Sequence, residues 1–192
     1  MLPETSPLHP TTAELEAGLD RVRAAPRTEG VLELIVRRPR TDEREVLEEG
    51  VLHLDEGLVG DNWRIRGSRM TPDRSAHPEM QLNVMSARAV ALVAREEGRW
   101  GLAGDQLYVD LDLSEANLPA GTRLAMGEAV IEVTAPPHLG CKKFVERFGM
   151  DAMRFVNSDL GRSLRLRGLN ARVIQPGIIR LGDHVTKLAP PA

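Results

Sequence analysis

Between residues 31 and 187 the chain is written in short β-type runs separated by turn residues, at 31–36, 45–54, 81–85, 108–113, 122–126, 129–134, 170–174 and 178–187. Many short strands with turns between them point to a barrel, and the expected fold class is mainly β with peripheral helices (α+β). Gly50 marks an expected bend or bulge inside the second run. Aromatic residues make up only 3% of the chain, so the core must be built from Leu, Val, Ile, Ala and Met. The same scarcity argues against platforms that stack nucleic-acid bases.

Helical spacing is confined to a few places. Residues 11–25 open with a capping-box pattern, Thr11 to Glu14, and carry Leu15, Leu19 and Val22 on one face, which predicts a single amphipathic helix. Ser86 is placed to cap a second helix reaching Glu97, with Val90, Val93 and Ala94 inward. The segment 151–156 reads as a further helical turn, and 159–167 as a basic, mobile stretch.

The only cysteine lies in Thr134-Ala-Pro-Pro-His-Leu-Gly-Cys-Lys-Lys-Phe-Val-Glu-Arg-Phe148. Pro136 and Pro137 keep the chain extended and bar an early helix. Phe144, Val145 and Phe148 then recur at helical spacing, which puts Cys141 on the first helical turn. Free N–H groups there, with Lys142 and Lys143 alongside, would favour a thiolate, the nucleophilic and metal-binding form. Opposed to this stands a small buried hydrophobe, the fate of most lone cysteines. His138, three residues upstream, could orient or protonate the sulfur or a substrate oxygen. His53, His77 and His184 lack ligand spacing and read as surface or core residues.

One cysteine excludes a disulfide scaffold and points to a reducing cytoplasm. A net charge of -3 gives no reason to expect nucleic-acid binding. No run of apolar residues is long enough to cross a membrane, and the first residues lack the pattern of a secretory leader. The chain divides into a helical extension at 1–29, one barrel domain at 30–188 and a tail at 189–192.

Three other stretches hold candidate binding groups. Gly57-Leu-Val-Gly-Asp61, followed by Arg64 and Arg66, can offer backbone N–H groups and arginines to an anion, or form a glycine turn with solvated arginines. Gln81 and Asn83 share one face of a strand, toward a ligand edge or toward water. Asp110 and Asp112 alternate on another strand without completing a metal site, and are expected to face solvent.

Taken in order, Gly57-Leu-Val-Gly-Asp61, Gln81-Leu-Asn83, Asn117-Leu-Pro-Ala-Gly-Thr-Arg-Leu124, Gly127-Glu-Ala-Val-Ile-Glu-Val-Thr134, Cys141, Arg167-Gly-Leu-Asn-Ala-Arg-Val173 and Gly182-Asp-His-Val185 resemble the MOSC domain, named for the C-terminal domain of molybdenum cofactor sulfurases. The resemblance spans about residues 30–188 and implies a MOSC-like β-barrel. It implies one of two roles for Cys141. The thiolate ligates molybdenum of a bound molybdenum cofactor (molybdopterin) that reduces a small N-oxygenated substrate, with a separate redox partner. Or it carries sulfur as a persulfide, accepted from a partner cysteine desulfurase that uses pyridoxal phosphate (PLP). An anionic pterin with a phosphate needs cationic and polar neighbours, for which Lys142, Lys143, Asp61, Arg64, Gln81, Asn83, Arg167 and Arg172 are the candidates. Gly140 and Asn62-Trp63 depart from the pattern, since many relatives have a proline before the cysteine and a basic pair after the aspartate. The alternatives are a non-catalytic, small-molecule-binding barrel with a structural cysteine and, last, a peroxide-reactive thiol.

Overall fold

The structure, a computed structural model, describes residues 8–190. The β segments condense into strands β1 (Glu29–Arg37), β2 (Glu45–Leu47), β3 (Glu49–His53), β4 (Gly57–Leu58), β5 (Leu82–Ser86), β6 (Leu107–Val109), β7 (Arg123–Met126), β8 (Ala129–Val133), β9 (Leu169–Gln175), β10 (Gly177–Arg180) and β11 (His184–Lys187). Seven of them close a ring in the order β1-β11-β7-β8-β9-β5-β6, returning to β1, and β2 extends it on the far edge of β1. Only the β5–β6 pair is parallel; every other rung is antiparallel. A small sheet, β10-β3-β4, accompanies the ring. Closure leaves the strands few open edges, which suits segments this short.

The barrel interior is aliphatic: Leu32, Ile35, Leu82, Val84, Leu107, Val109, Leu124, Ile131, Ala171 and Val185 are buried together with Leu52 and Leu58. Alternation sends the intervening residues outward, and on one side these are also apolar. Val36, Met85 and Tyr108 pack beneath a helical layer formed by α1 (Thr12–Ala17), α2 (Leu19–Arg23), α4 (Ala87–Ala94) and α5 (Lys142–Asn157). Two shorter helices, α3 (Trp63–Arg66) and α6 (Asp159–Ser163), complete the set. Among the described residues no helix is long and apolar enough to cross a membrane.

Several local expectations change once the parts pack. The predicted first helix becomes two, parted at Gly18, where a side chain would collide with Leu92; its capping box forms as expected. The bend in the second β run falls at Glu48, between β2 and β3, because those strands join different sheets; Gly50 sits within β3, against Leu58. The strand 81–85 is buried on both faces by the barrel and the helical layer, so neither amide faces water. Helix α4 stops at Ala94, with Arg95 at φ 64° as its terminator. Asp110 is ion-paired to Arg88 at 2.6 Å and Asp112 to Arg27 at 3.7 Å, so neither is simply solvated. The basic stretch 159–167 holds α6 and ends in the buried Arg167.

Gly168 links that arginine to β9. It has φ +103°, and an added Cβ would strike the Val84 carbonyl oxygen. Gly168→Ala is expected to lower unfolding free energy by at least about 1–3 kcal/mol, measured by urea denaturation.

Candidate functional site

Two buried arginines form the base of a cleft between the barrel mouth and α5. Arg38, just beyond β1, reaches Asp61 through Nε and a terminal nitrogen, both at 2.8 Å. Its other terminal nitrogen donates to Asn83 Oδ1 at 3.0 Å and to the Gly104 carbonyl at 2.7 Å. Asp61 also accepts the backbone N–H groups of Arg38 and Trp63. Asn83 Nδ2 donates to Asn170 Oδ1 across the β5–β9 rung at 2.7 Å. Gln81 donates to the Leu54 carbonyl and accepts from Val173 N–H. The polar groups of Asp61 and Gln81 are therefore spent on the framework, while Asn83 reaches the cleft wall already bonded on both sides of its amide.

The second arginine, Arg167, donates to Asp105 Oδ2 at 2.6 Å and to the Ala103 carbonyl at 2.9 Å, and its guanidinium lies 5.1 Å from the Phe144 ring centre. Its Nε–H is buried without a partner among the described residues, as is Asn62 Oδ1. His138 Nε2 lies 2.9 Å from the other Asp105 oxygen. Burial opposes charge on Asp105, but Arg167 and His138 outweigh it and hold the carboxyl at about 2. Burial lowers the His138 pKa, and Arg167 adds to this effect against the pull of Asp105. A neutral imidazole beside an ionised carboxylate donates from Nε2, leaving Nδ1 as the proton acceptor.

Cys141 is exposed and is the N-cap of α5, which begins as the spacing of Phe144, Val145 and Phe148 requires. The residue before it is fixed by Asn157 at the other end of α5. Gly140 N–H donates to Asn157 Oδ1 at 3.0 Å, a bond that a proline there could not make, and a Cβ would press into Met153. Helix α5 also absorbs the predicted turn at 151–156, with a break at Gly149, φ +90°.

The cleft has a free volume of about 320 Å³, in the range of small-molecule sites. Six arginines and one lysine line it: Arg38, Arg40, Arg44, Arg66, Arg147, Arg167 and Lys143. Asp42 is the one carboxylate in that lining, with Cys141, His138 and Asn62 among its neutral members. The pKa of Arg44 is lowered by desolvation and then by Arg147 and Arg38; that of Arg66 is lowered by desolvation and then by Arg38. Positive charge in the lining thus exceeds the one carboxylate set among it, an arrangement that favours anions over cations.

The structure therefore brings together Cys141, His138, Lys143, Asn83 and Arg167, with Asp61 and Gln81 in the supporting framework. Lys142 and Arg64 are exposed and outside the lining. Arg172 lies on the outer face of β9 and pairs with Glu132 of β8 at 2.6 Å, directly across the rung. Strand alternation puts Arg172 on the outward register with the buried Asn170, but only the neighbouring strand, through Glu132, separates the two. Arg38, Arg44, Asp105 and Arg147 were missed. Arg38 and Asp105 carry no local signal, because only closure of the barrel sets each against its partner.

The family model described as MOSC domain matches residues 71–186. Among solved structures, the YuaD protein from Bacillus subtilis is 15% identical with a TM-score of 0.59, covering 84% of this chain and 96% of that one. YiiM from Escherichia coli is 22% identical with a TM-score of 0.54, over 84% of this chain and 71% of that one. YiiM from Geobacillus stearothermophilus is 14% identical with a TM-score of 0.51, over 86% and 75%. At such identities the likeness shows a shared fold. No curated protein matches the sequence.

The His138–Asp105–Arg167 cluster predicts acid sensitivity with a defined sign. His138 is depressed on folding, so the stability it contributes is present above the ordinary histidine pKa of about 6.5 and lost as pH falls through its lower folded value. Asp105 adds a further loss between about 4 and about 2. Unfolding free energy measured from pH 8 to pH 4 is expected to decline below about 6.5 in the wild type and more weakly in His138→Gln. Asp61→Asn, which leaves the buried Arg38 without its counter-charge, is expected to cost about 3–5 kcal/mol in the same assay.

Proposed function

The chain belongs to the MOSC domain family, and from that premise we propose that it binds molybdenum cofactor in the arginine-lined cleft, with the Cys141 thiolate as the protein's ligand to the metal. The observation that carries this reading is the exposed thiol on the wall of a cleft with seven cationic side chains and one carboxylate. A thiol that only hands on sulfur does not require such a cleft. A phosphorylated, anionic ligand does.

The residues suit the group in three respects. A cysteine thiolate is a soft donor appropriate to a transition metal. Among the described residues no three His, Cys, Asp or Glu side chains gather into a metal site, so a metal at Cys141 would draw most of its ligands from the molecule that brings it. The buried Arg167 Nε–H and Asn62 Oδ1, both without partners among the described residues, belong to side chains lining this cleft.

When bound, the cofactor supplies two-electron chemistry suited to removing oxygen from a small N-oxygenated substrate. The protein's own contribution is positional and electrostatic. Arg44 and Arg66 neutralise the ligand's anionic groups, and Phe144 and Ala103 exclude water from part of the wall. His138 presents Nδ1 from a fixed tautomer and can take or return a proton in the cleft. Electrons would come from a separate redox partner.

The exposure of Cys141 favours a second reading, in which it carries a persulfide delivered by a PLP-dependent desulfurase. Protein purified without oxygen from cells that make molybdenum cofactor separates the two. Near-stoichiometric molybdenum and pterin are expected, with molybdenum lost in Cys141→Ser and pterin lowered several-fold in Arg44→Gln/Arg66→Gln. A metal-free protein whose intact mass shows one reducible extra sulfur would replace this proposal with the carrier.

A further inference from the structure

Asp42 is the one carboxylate in the cleft lining, and its surroundings are those of a bound anion. One oxygen, Oδ1, accepts from Lys143 Nζ at 2.7 Å and from Arg147 at 2.9 Å. The hydrogen bond and charge of Lys143 hold its pKa below the ordinary aspartate value, so it is an anion at neutral pH. Arg147 is anchored independently by donation to the Leu102 carbonyl at 2.8 Å. The two cations belong to α5, whereas Asp42 arrives from the loop between β1 and β2.

The geometry points to Asp42 as an internal stand-in for a phosphate group of the ligand, with Lys143 and Arg147 as the phosphate subsite that it occupies until the ligand enters. This rests on the anion-binding reading of the cleft and assigns the position of one group within it. Three physical features support an exchange. The Asp42 pair is exposed on its outer side, where an ion pair contributes little and yields readily. A phosphate monoester carries up to two charges and three acceptor oxygens against the single charge of a carboxylate, so it can satisfy both cations better. Asp42 has φ 64°, a left-handed conformation that Asp and Asn adopt with little strain, and its loop departs from the rigidly held Arg38.

The probe is inorganic phosphate, titrated into protein stripped of pterin at constant ionic strength, with affinity read by calorimetry and position by amide shifts on α5. Asp42→Asn keeps the backbone conformation and removes only the charge. Phosphate is expected to bind Asp42→Asn about fivefold or more tightly than wild type. Lys143→Gln should weaken binding and erase most of the gain when combined with Asp42→Asn. Protein that retains its pterin should show no phosphate-dependent shift at Lys143, because the ligand's own phosphate already fills the position; a shift there would assign the site to free phosphate and overturn the assignment. Equal or weaker binding by Asp42→Asn, with wild type still binding, would overturn the inference and leave the cofactor reading standing. Phosphate bound by neither protein would likewise overturn the inference, while molybdenum and pterin content decides the cofactor reading on its own.

Discussion

Arg38 and Asp61 are buried opposite charges, and the arrangement around the cleft depends on their remaining paired. Removing two such groups from water costs several kcal/mol each, and the cost is offset only when every donor and acceptor is used. Here the guanidinium is bonded to both Asp61 oxygens, Asn83 and the Gly104 carbonyl, while Asp61 also holds the backbone of Arg38 and Trp63. Those contacts join the end of β1, the loop after β4, the strand β5 and the turn before β6. The β1–β2 loop therefore starts from a fixed point, and from it Asp42 reaches Lys143 and Arg147 of α5 while Arg40 and Arg44 join the cleft lining.

A second buried pair does the same for the segment that delivers the cysteine. Thr134 is tied to Asn170 and Glu79, Pro136 accepts from Asn170, His138 is held by Asp105, and Gly140 is held by Asn157. A stretch with no regular structure of its own is thus pinned at short intervals. Cys141 emerges from it at a defined place on the cleft wall, exposed yet not free to wander. The division of labour is physical: buried charges and amides fix the backbone, and the cations left over line the cleft.

Much of this was legible beforehand. The count of short strands with intervening turns specified a barrel, and the ring of seven strands agrees. Helix α5 could be placed from three apolar residues, and Cys141 at its start followed from Pro136, Pro137 and Gly140. For Gln81 and Asn83, strand alternation shows that two amides share a face without showing what covers it; the barrel and helical layer bury both, and Asn83 alone reaches the cleft lining. Arg172, a candidate through the family resemblance, is held instead by Glu132 on the neighbouring strand, away from Arg167. Asp105 and Arg38 stood in the sequence without any pattern, since their partners lie 62 and 23 residues away.

The amino-acid sequence alone determined the local geometry: which segments are extended, where helices are capped, where proline forbids a turn, and that a single thiol begins a helix. Those outcomes follow from backbone sterics and from side-chain periodicity, which act over a few residues. Tertiary structure alone decided which arginines meet in the cleft, which are neutralised beneath it, and that Asp42 comes to rest between Lys143 and Arg147. Charge interactions act through space between groups that barrel closure brings together, so no spacing along the chain could have announced them.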